Sequence, residues 1–367
     1  MEYRQHNPLP LPKGEAYQRV EATLTSIFDW EYGLKQSKLL RLYEKGKSLS
    51  WNATEIDWTI DVDLERMAHT QGIPSFIQHA LKPPRALSDE EAVAMHLHTQ
   101  AFTLSQFLHG EQGAMLTAAK LVQAVPSTEA KFYAANQTAD EARHVEVYHR
   151  YLTEKIGTSY EVHPSLRTLL DEIISAREWD MTFLGMQIMV EGLALAAFGV
   201  IRLLLAGEPL ICDITARVMA DEARHVAFGV LALEQLYRQE LSARELRERE
   251  DFIIEATHLL YARLLPTPAF ERLGWDLKVW EPWVQQTPMQ VGFRQMMFSK
   301  IVPNLKRLGL LTPRVRATFA SLDLLRFEHS PDSVVDPGVS PPAELVALLM
   351  AQLGGDAPGF APPLPAS

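Results

Sequence analysis

The chain has 367 residues, of which 47% are hydrophobic and 22% charged, and its formal net charge is −11. Such a chain buries a large core without disulfides or a structural metal, so a bound metal would serve chemistry rather than folding. The acidic balance argues against nucleic acid as a main partner, and the single cysteine, Cys212, excludes an internal disulfide and fits a reducing compartment.

The opening stretch, MEYRQHNPLPLPKGE, is Pro-rich and irregular, has no apolar run, and reads as cytoplasmic. Helical spacing follows over 16–48, then a connector over 51–63, then short helices over 64–83 that stop at Pro83 and Pro84. Ser88, with Asp89, Glu90 and Glu91 behind it, starts a long helix that ends at Pro126. A second runs from Ser127 or Thr128 to about Lys155. A third opens at Pro164 and continues to Ala206, and a fourth follows Gly207-Glu208-Pro209 and runs to about Glu240. Met186 to Ala206 is apolar enough to raise a membrane reading. Glu191 near its middle is costly in lipid, so the segment is predicted to be the core helix of a bundle. Further helices are expected over 242–265 and near 288–308, 312–327 and 341–354, with a linker over 330–343 and a disordered Pro-rich tail. The predicted organisation is an all-α fold. Residues 1–87 form an N-terminal helical extension on the bundle and 88–240 a four-helix bundle. Residues 241–329 are helices completing the same domain, and 330–367 a linker, short helix and tail.

One internal repeat carries chemistry. Asp140-Glu141-Ala142-Arg143-His144 recurs as Asp221-Glu222-Ala223-Arg224-His225, each copy inside a helical run. Residues three apart share a helix face, so Glu141 with His144, and Glu222 with His225, can address one ion each. A bundle with a two-metal centre uses this device on two helices and one Glu from each of the other two. Glu111 and Glu191, isolated acids on apolar helices, are the candidates. Glu111 lies 15 residues before the first turn, near residue 126, and Glu141 lies 15 after it. In an antiparallel hairpin both carboxylates then sit at one height, roughly 22 Å from the turn. Glu191 and Glu222 stand at similar distances from the second turn, near 206–207. Four carboxylates and two neutral imidazoles balance two divalent ions, and oxygen-rich ligation suits iron or manganese better than zinc or copper. The alternative is ordinary ion pairing of these acids with Arg143, Arg202 and Arg224.

These motifs resemble those of the ferritin-like superfamily of di-iron carboxylate proteins, over roughly residues 88–240. That superfamily includes the ribonucleotide reductase small subunit, bacterial multicomponent monooxygenases, acyl-carrier-protein desaturases and related oxidases. The stretch LYEKGKSLSWNATEIDW resembles, more weakly, the leader of small-subunit-like members. The resemblance implies a ferritin-like four-helix bundle with added terminal helices and a centre of two Fe ions, with Mn as the other option. Its ligands would be Glu111, Glu141, His144, Glu191, Glu222 and His225. By the same resemblance Asp140 and Asp221, flanked by Arg143 and Arg224, would hold the ligand histidines from behind, across the site; as plain helix acids they would be solvated instead. The reductase subunit usually has Asp as first ligand, where this chain has Glu111. Its radical tyrosine falls at Tyr148, a position equally suited to packing. The proton-relay threonine of hydroxylases and desaturases is replaced by Ala194 and Leu195, and the extra histidine of aminobenzoate-type N-oxygenases by Val218.

The reading that follows is a non-haem di-iron oxidoreductase that activates O2 to oxidise a small organic substrate. Phe107, Leu108, Met115, Ile188, Leu195 and Phe198 would shape the substrate pocket or serve as core. A ferredoxin or reductase would supply electrons, and the added helices suggest a covered pocket or a homodimer interface; neither nucleic acid nor membrane is expected as partner. Two alternatives stay open: a radical-generating subunit using Tyr148, and an iron-handling protein without an organic substrate.

Overall fold

Side-chain caps decide where the long helices begin. In a computed structural model describing residues 18–22, 24–30, 32–205 and 207–336, Ser88 accepts from the Glu91 N–H while the Glu91 carboxylate accepts from the Ser88 N–H. This reciprocal box satisfies two otherwise orphaned donors, worth about 1 kcal/mol. It launches a helix that runs unbroken to Ala124. In chain order the helices are α1 (Ser37–Ser48), α2 (Leu64–Thr70), α3 (Ile73–Phe76), α4 (Asp89–Ala124), α5 (Thr128–Tyr151), α6 (Pro164–Ser175), α7 (Trp179–Phe183), α8 (Glu191–Leu204), α9 (Pro209–Gln235), α10 (Ala243–Ala262), α11 (Thr267–Arg272), α12 (Leu277–Gln286), α13 (Pro288–Met296), α14 (Ile301–Leu308) and α15 (Pro313–Ser321). No strand occurs among the described residues.

The architecture is a helical bundle built on two paired hairpins. Helices α4 and α5 pair, α8 and α9 pair, and α5 meets α9, so the two hairpins share one interior. Helix α1 lies across α5 and α9; α10 covers α6 and the segment before α8; α14 covers α9. The largest apolar cluster runs through the bundle and includes Phe107, Tyr148, Phe183, Phe198 and Phe228.

The predicted third helix is not continuous. Helix α6 stops at Ser175, Ala176 takes an extended conformation, and α7 restarts at Trp179. Residues 184–190 then wind as a wide π-type turn into α8. A buried polar contact fixes the break, since the Lys120 ammonium donates to the Ile174 and Ala176 carbonyls (the former at 2.9 Å). Trp179–Arg202 has the length and hydropathy to cross a membrane, but its apolar window is wholly buried among other helices.

The helix expected over 16–48 shrinks to Ser37–Ser48, and 18–36 is irregular where described. The expected 288–308 helix divides into α13 and α14. Helices α11 and α12, for which the sequence raises no specific expectation, carry Phe270, Trp280 and Trp283; Trp275 stacks with Phe270 and Trp280 beneath Arg85, and Trp283 meets Trp280 edge-on. The expected 341–354 helix and both Pro-rich ends lie outside the described residues.

Candidate metal centre

Glu111 sits on α4, Glu141 and His144 on α5, Glu191 at the first position of α8, and Glu222 and His225 on α9. All six are buried. They fall into two overlapping groups whose ligand atoms lie within 4.8 Å of one another: Glu111, Glu141, His144 and Glu222 in one, Glu141, Glu191 and His225 in the other. Glu141 belongs to both. Its Oε2 lies 3.2 Å from His144 Nδ1 and its Oε1 3.0 Å from His225 Nδ1. Glu222 Oε1 also faces both rings, at 3.2 Å and 3.7 Å.

The rings are held from behind. His144 Nε2 donates to Asp221 and His225 Nε2 donates to Asp140, both at 3.1 Å. Each aspartate therefore serves the histidine of the other repeat. Arg143 binds Asp140 and Arg224 binds Asp221 through their Nη2 groups, which offsets the second pair of acids. With Nε2 committed to an aspartate, Nδ1 of each ring is the atom turned to the centre, and loss of its proton frees a lone pair there.

Without a cation the cluster is under-satisfied. Glu141 Oε2, Glu191 Oε2, both oxygens of Glu222 and His225 Nδ1 are buried without a hydrogen-bond partner. Leaving such atoms unpaired in a protein interior costs several kcal/mol in all, at about 1–3 kcal/mol per group. The donor set fits two divalent ions of the iron or manganese kind: oxygen-rich, two imidazoles, one shared carboxylate.

The protonation pattern shows the same crowding. Burial, then the Glu222 charge, pushes Glu111 up to about 8. Burial and the charges of Glu222 and Glu141 hold Glu191 well above the usual carboxyl range. For Glu141, burial pulls upward too, but the positive charges of the two adjacent rings, His225 first, outweigh it and hold it low. Burial opposes protonation of the imidazoles. Bonds to Asp221 and Glu111 nonetheless raise His144, and the Glu141 charge raises His225.

Two neighbours went unnoticed in the sequence. Gln137 donates to Glu141 at 3.0 Å and to Glu191 at 2.8 Å, tying the two carboxylates together. It stands four residues before Glu141, a spacing that would have exposed it. The Trp51 indole donates to Asp221 at 2.8 Å, so the connector before the bundle reaches the back of the site. No local signal marks that contact across 170 residues.

Tyr148 is fully buried; its ring packs against Phe107 and Phe198, and its hydroxyl faces Thr215. A void of about 10 Å³ touches Glu111, Glu191 and Glu222. Of the six residues expected to line a substrate pocket, Phe107 lines this void. Leu108, Met115, Ile188, Leu195 and Phe198 do not; Ala114, Val190 and Ala194 stand there instead.

No family model matches the chain, and no curated protein matches it. Among solved structures, the chain is similar to a Tyr-to-Phe variant of an R2-like ligand-binding oxidase with an anaerobically reconstituted Mn/Fe cofactor. The identity is 16%, the match covers 80% of this chain and 97% of that one, and the TM-score is 0.37.

Proposed function

We propose that the protein is a two-metal oxidoreductase that uses O2 to oxidise a small organic molecule, with Glu111, Glu141, His144, Glu191, Glu222 and His225 as metal ligands. One observation carries this reading: two ligand groups share Glu141, and both imidazoles turn Nδ1 inward because an aspartate holds Nε2. Loaded with two ferrous ions, such a centre would supply electrons for O2 reduction, and a reductase or ferredoxin would replace them where the substrate does not.

The chain's own residues set the conditions. Asp140 and Asp221 fix ring tautomer and orientation, and Gln137 fixes the separation of Glu141 and Glu191. The surrounding apolar side chains leave room for about one water beside the carboxylates, which keeps bulk solvent from the reacting atoms.

The test is an anaerobic titration of metal-free protein with ferrous iron, followed by O2 under optical observation. Uptake of about two irons per chain and a transient visible band are expected. Absence of stoichiometric binding by iron or manganese refutes the reading. A second reading, a radical-generating subunit, draws on the fully buried hydroxyl of Tyr148, which feels the charge of Glu111. A sharp, lasting tyrosyl-radical band would favour it.

A further inference from the structure

Arg263 follows the last residue of α10 and is 2% exposed. Its Nε and Nη1 are buried and have no hydrogen-bond partner. The residue lines the same void as Gln106, Gly110, Glu111, Glu191 and Glu222. A buried guanidinium with idle donors is expensive, and burial draws its pKa down to about 10. Glu111 is the acid whose charge acts on it, and that carboxylate is already assigned to the metals.

Charge bookkeeping makes the gap specific. Four glutamates balance two divalent ions, and Arg143 and Arg224 balance Asp140 and Asp221. Arg263 is left with one positive charge and no counter-ion. We propose that Arg263 anchors the carboxylate of a monocarboxylic acid substrate beside the metal centre. A planar guanidinium matches a carboxylate through paired N–H donors, and one unbalanced charge calls for a monoanion rather than a phosphate dianion.

Space is also available at Gly110, another residue of the lining. A Cβ built on buried Gly110 would meet nothing within 4 Å. As it stands the void admits a water-sized group. The carboxylate takes that space, and the remainder of the acid needs the lining side chains, of which Phe107 is the largest, to move aside.

The inference rests on the two-metal reading, so the experiment separates the two. Protein loaded with Mn(II) under argon, its metal content measured, is titrated calorimetrically with benzoate and butyrate, and with benzamide and butyramide as neutral counterparts. The carboxylates should bind and the amides should not. Arg263→Met should weaken carboxylate binding about ten- to a hundredfold, as for loss of a charge-assisted hydrogen-bond pair. Its melting temperature without carboxylate should be no lower than that of the natural chain, because an unpaired buried charge is gone. Gly110→Leu, which keeps Arg263 and fills the void, should weaken binding as well, and it provides the test if Arg263→Met does not fold. Equal binding of acids and amides overturns the inference, as does undiminished carboxylate binding in both variants. Two bound ions without carboxylate binding overturn it while sparing the metal reading. Failure to take up manganese removes the charge balance and overturns both.

Discussion

Loading the centre with two divalent ions should release about four protons near neutral pH. Four carboxylates crowded in a dry interior need four compensating charges. In the metal-free chain protons supply them. Glu111 is held at about 8, Glu191 well above the usual range, and both imidazoles above their ordinary value, so all four groups keep protons at pH 7. Two divalent ions replace those four charges. By linkage the combined affinity should fall about four decades per unit drop in pH, or about 5.4 kcal/mol at 1.36 kcal/mol per unit per proton. The slope should flatten above about pH 8, where Glu111 gives up its proton unaided. Calorimetry in buffers of different ionisation enthalpy counts the protons directly. The metal-free protein offers a second check. Glu111 binds its proton more tightly folded than unfolded, so its contribution falls as pH rises from about 4.5 to about 8, and the raised imidazoles act in the same direction. The chelator-treated protein should therefore melt at a lower temperature at pH 8 than at pH 6. Release of clearly fewer than about two protons per bound ion, or pH-independent affinity, would refute this account of the cluster.

Asp221→Asn should lower metal affinity about ten- to a hundredfold, since the amide cannot accept from both His144 Nε2 and the Trp51 indole while balancing Arg224; equilibrium metal competition reads it. Gly229→Ala should destabilise by about 1–3 kcal/mol in denaturant melts, because its Cβ would stand 2.6 Å from Gln187 Cβ, close to the backbone of the π-type turn. Gly110→Ala, with open space at its Cβ, should instead be neutral or stabilising by about 0.5–1 kcal/mol. His96, which pairs through Nε2 with Gln100, is held near 4 by burial. Its unfolded form takes up a proton near 6.5, so stability should fall as pH drops from about 6.5 to about 4, by up to about 3 kcal/mol. A His96→Gln variant should lose less stability over that interval in pH-dependent melts.

The hairpins were legible because their signals are local and redundant. Ser88 and Glu91 mark one start, Pro126-Ser127 one turn, and Glu208-Pro209 another; the Glu208 carboxylate accepts from the Leu210 and Ile211 N–H groups at that start. The interruption at Ala176–Glu178 was not legible. Its residues carry no proline or glycine, and what fixes it is Lys120, more than fifty residues away along the chain. Helices α11 and α12 escaped because each is short and carries a proline, Pro268 and Pro282, so neither presents a sustained helical period.

The same division runs through the site. Spacing of three within a repeat, and equal counts to a turn, depend only on α geometry, and the structure brings Glu111, Glu141, His144, Glu191, Glu222 and His225 into one layer. The pocket positions depended on α geometry where the chain does not keep it. Ile188 stands three residues before Glu191 and would share its face in an α-helix, but it lies in the wider turn over 184–190, where that spacing no longer aligns side chains. Within true α-helix, three- and four-residue steps still leave a choice: Ala114 and Ala194 line the void rather than Met115 and Leu195. Trp51 and Arg263 are a different case. Each comes from an element outside the four bundle helices, and each reaches the site by tertiary packing. Repeat symmetry therefore accounts for the ligands and their balancing acids. The residues that break it, Trp51 behind Asp221 and Arg263 beside Glu111, are where this chain would differ from another bundle with the same ligand set.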